Sequence, residues 1–242
     1  MDAIERTIRD VVIANRILAL NNVLDAYGHV SIRHPERPDR YFLARSLSPA
    51  IVDVDDVIEF QMDGTPVDAN ERRPLYLERF IHGGVYEKRP DVKAVLHSHA
   101  DDLLPFSISK TTRLRPVIHA VGDIGENIPV WDIADKFGDE TTLLVTNMDQ
   151  GRDLAECLHC NRMALMRGHG FVCVGVSIND LVRLSVYIPR NARTQFAAMQ
   201  MGDYKALSRG EIEARMKLDP DSPALRRGWE FWAREAGCAH LL

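Results

Sequence analysis

The sequence predicts a single domain of the α/β or α+β type. Long segments with helical spacing alternate with short strand-like runs, but without regular strand–helix–strand repetition. The 242 residues suffice for one large hydrophobic core. No internal repeat, low-complexity tract or clean domain boundary divides them. A net charge of -5 gives no reason to expect nucleic acid or an anionic membrane as partner. No apolar run approaches the roughly 20 residues that cross a bilayer. The charged start M-D-A-I-E-R-T-I-R-D is unlike a signal peptide, so a cytoplasmic location is the default expectation.

Taken in order, residues 2–21 carry Ile4, Ile8, Val11, Val12, Asn15, Leu18 and Ala19 on one helical stripe, and Asn21-Asn22 is a plausible stop. D-A-Y-G-H-V-S-I-R and Y-F-L-A-R read as strands. Between them H-P-E-R-P-D-R, rich in proline and charge, reads as a turn. Gly28 gives the backbone room for the close approach of a ligand. Ser46-Leu-Ser-Pro49 is a loop, and Val57–Met62 a strand ending at Asp63-Gly64.

A helix follows, with Leu77, Phe80, Ile81, Gly84 and Val85 on its buried face and Glu78 near its start. Arg89-Pro90-Asp91 stops it, because proline removes a donor and disfavours helical geometry before it. Val92 to His97 then alternate as a strand. Asp101–Ser109 reads as a short helix, Pro116–His119 and Ile128–Trp131 as short strands, and 133–137 and Asp153–His159 as helical. Leu143–Thr146 fits no pattern well. Met163–Gly175 reads as a hairpin with Gly168-His169-Gly170 at its turn. Ser177 to Asp180 resembles a capping box opening a helix to about Met201, with Pro189 expected to kink it. The charged tail from Glu211 carries Trp229, Phe231 and Trp232, which must dock on something. Cys157, Cys160, Cys173 and Cys238 suit buried free thiols better than a disulfide framework in a chain this long.

Of nine histidines, three stand out. His97 and His99 are two apart, so both leave one face of a strand. His169 sits between glycines, which leave space around its ring. With a carboxylate these make a good site for Zn²⁺ or a harder ion such as Mn²⁺, and a three-histidine site with an open position suits catalysis. From spacing alone, a core histidine cluster held by backbone hydrogen bonds fits equally well.

The chain resembles the class II aldolase and adducin family. Tyr27-Gly-His-Val-Ser-Ile-Arg33, Glu78 followed by R-P-D-V-K-A-V-L-H-S-H, and R-G-H-G-F-V-C-V-G carry the resemblance, in family order, over roughly residues 5 to 205. It implies one α/β/α three-layer domain around a mostly antiparallel central sheet, with 1–210 as the catalytic domain and 211–242 as an extension docked on it or on a neighbour. It implies one divalent ion per subunit (Mn²⁺ or Zn²⁺, with Co²⁺ or Fe²⁺ possible) on His97, His99 and His169, with Glu78 as fourth ligand or acid/base. It also implies a homo-tetramer or larger assembly with sites at subunit interfaces.

Departures from the family's sugar-phosphate enzymes narrow the reaction. His29 stands where asparagine is expected, Ala44-Arg45-Ser46-Leu47-Ser48-Pro49 lacks a glycine, and Tyr76-Leu77 replaces a serine pair. A phosphate would lack most of its donors. Arg45, helped by Ser46, can instead hold a carboxylate. His29 adds a donor that can carry charge near neutral pH. Phe42, Tyr76 and Leu77 can line a flat slot, with His119 and Tyr187 as further candidates for its wall. This pattern is similar to the family's decarboxylases of hydroxylated aromatic or pyridine dicarboxylates. The implied reaction removes CO₂ through a metal-stabilised enolate-like intermediate, with Glu78 or His29 supplying the proton. A metal-dependent aldolase or epimerase acting on a sugar or sugar phosphate is the alternative, and a non-enzymatic adducin-like domain a more distant one.

Overall fold

Asp2 opens the first helix by accepting the Glu5 N–H, as an N-cap carboxylate does. The helix, α1, spans Ala3–Leu20 and buries Val11, Val12, Ile17 and Leu18. The computed structural model describes residues 2–217, 219 and 222–242.

Seven strands form one sheet. In chain order they are β1 (His29–Arg33), β2 (Arg40–Ala44), β3 (Val57–Gln61), β4 (Ala94–Ser98), β5 (Val130–Trp131), β6 (Met163–Met166) and β7 (Gly170–Gly175). Their order in the sheet is β3-β2-β1-β4-β7-β6-β5, antiparallel throughout except for β5 with β6. The strand β4 is therefore central.

The alternation of side chains along β1 separates two helical layers. Ile32 clusters with Val11 of α1 and with Phe42, while Ser31 and Arg33 reach Tyr86 of α2 (Arg79–Lys88) on the opposite face. The long helix α6 (Ile178–Met201) packs with α1, and α5 (Met148–Leu158) with α2. The result is an α/β/α sandwich. Helices α2 and α5 meet with their backbones nearly touching: a Cβ on Gly84 would lie 2.4 Å from the Gly151 backbone.

Several local expectations change. Pro116–His119 pairs with no strand. The side chain of Asn191 accepts the N–H groups of Val117 and Ile118, and Leu207 N–H donates to the Pro116 carbonyl. The segment's backbone partners thus come from α6 and the loop beyond it, not from a ladder. Helix α5 starts earlier than its apolar spacing suggests, because Asn147 caps it. Pro189 lies inside helix α6, within its Ile178–Met201 span. Ser177 caps it, but Asp180 turns its carboxylate to Arg162 and Arg183 and does not complete a capping box. The remaining helices are α3 (Leu104–Ile108), α4 (Ala134–Phe137), α7 (Arg209–Met216) and α8 (Pro223–Glu235).

Helix α8 docks on α1 and α6 of the same chain. Trp229 is buried and Trp232 packs edge-on against Tyr187, but Phe231 stays exposed. All four cysteines are free; Cys173 and Cys238 are buried, Cys157 is half-buried and Cys160 exposed. Among the described residues no helix is long and apolar enough to cross a membrane.

Candidate metal centre

The central strand carries the first ligand candidate into the interior. His97 lies one residue from the end of β4, opposite His29 of β1 and Val172 of β7, and is fully buried. His99 follows just beyond the strand. His169 occupies the tight turn between β6 and β7, where its N–H donates to Met166. Gly168 takes the left-handed conformation there, with φ +64. A Cβ on Gly170 would lie 2.1 Å from the Ser98 carbonyl, so the hairpin folds directly against the end of β4. Ser107 of α3 steadies the turn by accepting the Gly168 N–H.

Glu78 stands at the N-cap of α2, yet its side chain does not cap that helix. Its Oε1 accepts the Val145 N–H at 2.9 Å, which gives the patternless Leu143–Thr146 segment its function. Its Oε2 lies 3.4 Å from Nε2 of both His97 and His169. One ligand atom from each of Glu78, His97, His99 and His169 lies within 4.8 Å of all the others.

The outer nitrogens settle how the rings are protonated. His97 Nδ1 faces the Phe171 carbonyl at 3.2 Å, and His99 Nδ1 faces both Asp25 oxygens at 3.2 Å. Carbonyl and carboxylate only accept, so both Nδ1 atoms carry the proton. The two Nε2 lone pairs then face each other at 2.9 Å, with His169 Nε2 at 3.2 Å from His99. Bare lone pairs at that distance repel unless a cation sits among them. The donor set therefore fits a divalent ion, with carbonyl and carboxylate acting as the outer partners that orient ligating imidazoles. Burial alone would raise the Glu78 pKa. In their protonated forms the His97 and His169 imidazoles outweigh burial and hold Glu78 well below the carboxylate range, and a cation in their place would act in the same direction.

Glu78, His99 and His169 line the floor of a cavity of about 530 Å³, while His97 is fully buried. Tyr76, Leu77, Leu143 and Leu144 supply apolar wall, Ser46 and Thr142 hydroxyls, and His29 an imidazole. The Tyr76 ring lies 4.5 Å from that of His29. His29 departs from expectation in one respect. It is 2% exposed, and burial, then His82 and His97, hold its pKa well below the imidazole range, so it is neutral at neutral pH.

Other sequence candidates fall elsewhere. The Arg45 guanidinium bonds Asp56 at 2.7 Å and is not among the cavity's lining residues, although the adjacent Ser46 is. Phe42 stacks on His34 beneath α1. His119 and Tyr187 line a separate cavity of about 500 Å³, beside the half-buried Arg162–Asp180 and Arg183–Asp123 pairs. Gly28 has its close approach, but to the His97 carbonyl, 3.0 Å from where a Cβ would stand. Asp25 escaped sequence reasoning because the residue it supports, His99, is 74 positions away.

The description of the Class II Aldolase and Adducin N-terminal domain matches residues 9–196. The chain belongs to this family. Decarboxylase tropJ of Talaromyces stipitatus is 38% identical over 250 residues, which cover 94% of this chain and 93% of that protein. The 3,4-dihydroxyphthalate decarboxylase of Arthrobacter keyseri is 23% identical over 192 residues, 74% of this chain and 73% of its own. Among solved structures, an aldolase II superfamily protein from Pseudomonas syringae superimposes with a TM-score of 0.80 at 22% identity, covering 100% of this chain and 96% of that one. This member of the class II aldolase family is a carbon–carbon lyase whose relatives include named decarboxylases.

Proposed function

We propose that this protein is a metal-dependent decarboxylase of a hydroxylated aromatic or pyridine dicarboxylate. One observation carries the reading: a three-histidine, one-carboxylate cluster presents Glu78, His99 and His169 to a cavity walled by Tyr76, Leu77, Leu143 and Leu144. Such walls suit a flat ring. They offer a phosphate dianion little, and no Lys or Arg is among the cavity's lining residues. The names of the relatives agree with this choice.

His97, His99 and His169 would hold the ion, with Glu78 beside them. A divalent ion there supplies a Lewis acid that accepts the negative charge left on the substrate as CO₂ departs. The residues do the rest. Tyr76 and the leucines exclude water from the ring. Glu78, ionised, takes the proton of the ring hydroxyl and returns it to the ring carbon once the carboxylate has left. The carbon–carbon bond breaks, its electron pair stays on the ring carbon, and the new C–H bond consumes the returned proton. Ser46 and Thr142 bind the second carboxylate, with Arg45 one residue behind Ser46. Tyr27 and Leu77 at the cavity rim are 74% and 50% exposed, which supports an assembly in which a neighbouring subunit covers the mouth.

Product analysis tests the reading. Protein loaded with Mn²⁺, Zn²⁺ or Co²⁺ is given 3,4-dihydroxyphthalate, related ortho-hydroxy ring dicarboxylates, or L-fuculose 1-phosphate. Release of CO₂ from the ring acids with the sugar phosphate intact is expected. Faster cleavage of the sugar phosphate would sink the proposal.

A further inference from the structure

A line of buried hydrogen bonds runs from the cavity floor away from the metal cluster. His29 Nδ1 lies 2.6 Å from His82 Nε2, His82 Nδ1 lies 2.6 Å from Ser31 Oγ, and Ser31 Oγ lies 2.9 Å from the Tyr86 hydroxyl. None of the four residues is more than 2% exposed. Two periodicities build the line. His29 and Ser31 share one face of β1, and His82 and Tyr86 stand one turn apart on α2.

Counting protons gives the line a direction. Tyr86, Ser31 and two neutral imidazoles carry one exchangeable side-chain proton each, four in all, for three links. One proton is left over at an end. If the bonds ran from His29 toward Tyr86, the phenolic proton would be left over. Tyr86 is 1% exposed, the Val95 backbone N–H donates to its hydroxyl oxygen, and Ser31 Oγ is the acceptor its own proton finds among the described residues. A buried donor without an acceptor is costly. If the bonds run from Tyr86 to Ser31 to His82 to His29, every buried proton is accepted. The spare one then sits on His29 Nε2, the ring nitrogen left free for the cavity that His29 lines.

We propose that Tyr86, Ser31 and His82 form a positioning relay that fixes His29 as its neutral Nε2–H tautomer, a hydrogen-bond donor to the substrate oxygen on which charge develops. The substrate oxygen rests on the decarboxylase reading above; the tautomer does not. His29 donates this hydrogen bond without giving up the proton. Transfer would leave an imidazolate, or draw a proton down the line and leave a buried phenolate on Tyr86, whose pKa burial already pushes up. That leaves Glu78 to carry the proton to the ring carbon.

The test has two arms on the full zinc-loaded chain. In the first, long-range ¹H–¹⁵N correlation spectra of ¹⁵N-histidine protein read the His29 tautomer, with His29→Gln assigning the signals. A protonated Nε2 and bare Nδ1 are expected, with that preference lost in His82→Leu. A protonated Nδ1 in the parent protein overturns the relay, whether or not CO₂ is ever released. In the second arm, His29→Leu is expected to lower kcat for CO₂ release by ~10²–10³, as loss of one preorganised donor does, with KM little changed. His29→Gln keeps a donor but cannot act as an acid, and is expected to stay within about tenfold of the parent. Equal losses in both variants, with zinc content and thermal melts like the parent, would make His29 the proton donor and overturn the assignment.

Discussion

Asp25 carries more of the site than its distance in sequence from the histidines suggests. It bonds His99 Nδ1, and its Oδ1 also accepts the Tyr27 and Gly28 N–H groups, so one carboxylate fixes both a candidate ligand ring and the loop entering β1. Asp25→Asn is expected to weaken metal affinity ~10–100-fold, read by competition with a chromogenic chelator. His169→Ala is expected to lose the ion outright, read by elemental analysis of gel-filtered protein. At this scale the clustered histidines were legible and their supports were not. The spacing of His97 and His99 and the glycines around His169 leave a local trace. Asp25 and Val145 meet their partners across 74 and 67 positions, contacts that exist only once the sheet has formed. Arg45 shows the converse. Its sequence neighbourhood suits a carboxylate, but Asp56, eleven positions on, already occupies it.

Helix α2 is the element that couples scaffold to chemistry, with Glu78 at its mouth and His82 and Tyr86 along its inner face. Its seat on α5 depends on two glycines in contact. Gly84→Ala would set a Cβ against the Gly151 backbone and is expected to cost about 1–3 kcal/mol. Thermal melts should fall by ~2–4 °C per kcal/mol for a domain of this size. Helix α1 holds a pH-dependent term. Burial raises the Asp10 pKa to about 6, outweighing the opposing effect of Arg6. An acid whose folded pKa exceeds its unfolded value contributes stability below pH ~4 that is lost as pH rises through the folded pKa. Asp10→Asn is therefore expected to stabilise the protein above pH ~7 by about 1–2 kcal/mol, discounted for partial exposure, and to change little at pH ~3. The elements legible in the sequence were those whose periodicity decides their fate: α1, α2, β4, the β6–β7 hairpin and α6. Pro116–His119 read as a strand because it is short and apolar. Its backbone partners are the Asn191 side chain of α6 and the Leu207 N–H beyond that helix, which no local pattern reveals.

The whole molecule is a three-layer sandwich whose central strand delivers His97 to a floor shared by β1, α2 and the β6–β7 turn. The candidate ligands thus come from three separate stretches of chain, and ion binding there is expected to stabilise the folded state. The C-terminal helix closes one face by burying Trp229 against α1 and α6. Trp229→Ala is expected to cost about 3–5 kcal/mol, checked by denaturant unfolding. The central claim, that an ion on this cluster drives loss of CO₂ from a hydroxylated ring acid, is tested most directly by titration. Chelator-stripped protein is reloaded with Mn²⁺ or Zn²⁺ while bound metal and CO₂ release are measured in the same sample. The predicted result is release that rises in proportion to bound metal, saturates at one ion per chain, and is absent in His97→Ala. Undiminished release from the stripped protein, or none at full loading with any hydroxylated ring dicarboxylate, would contradict it.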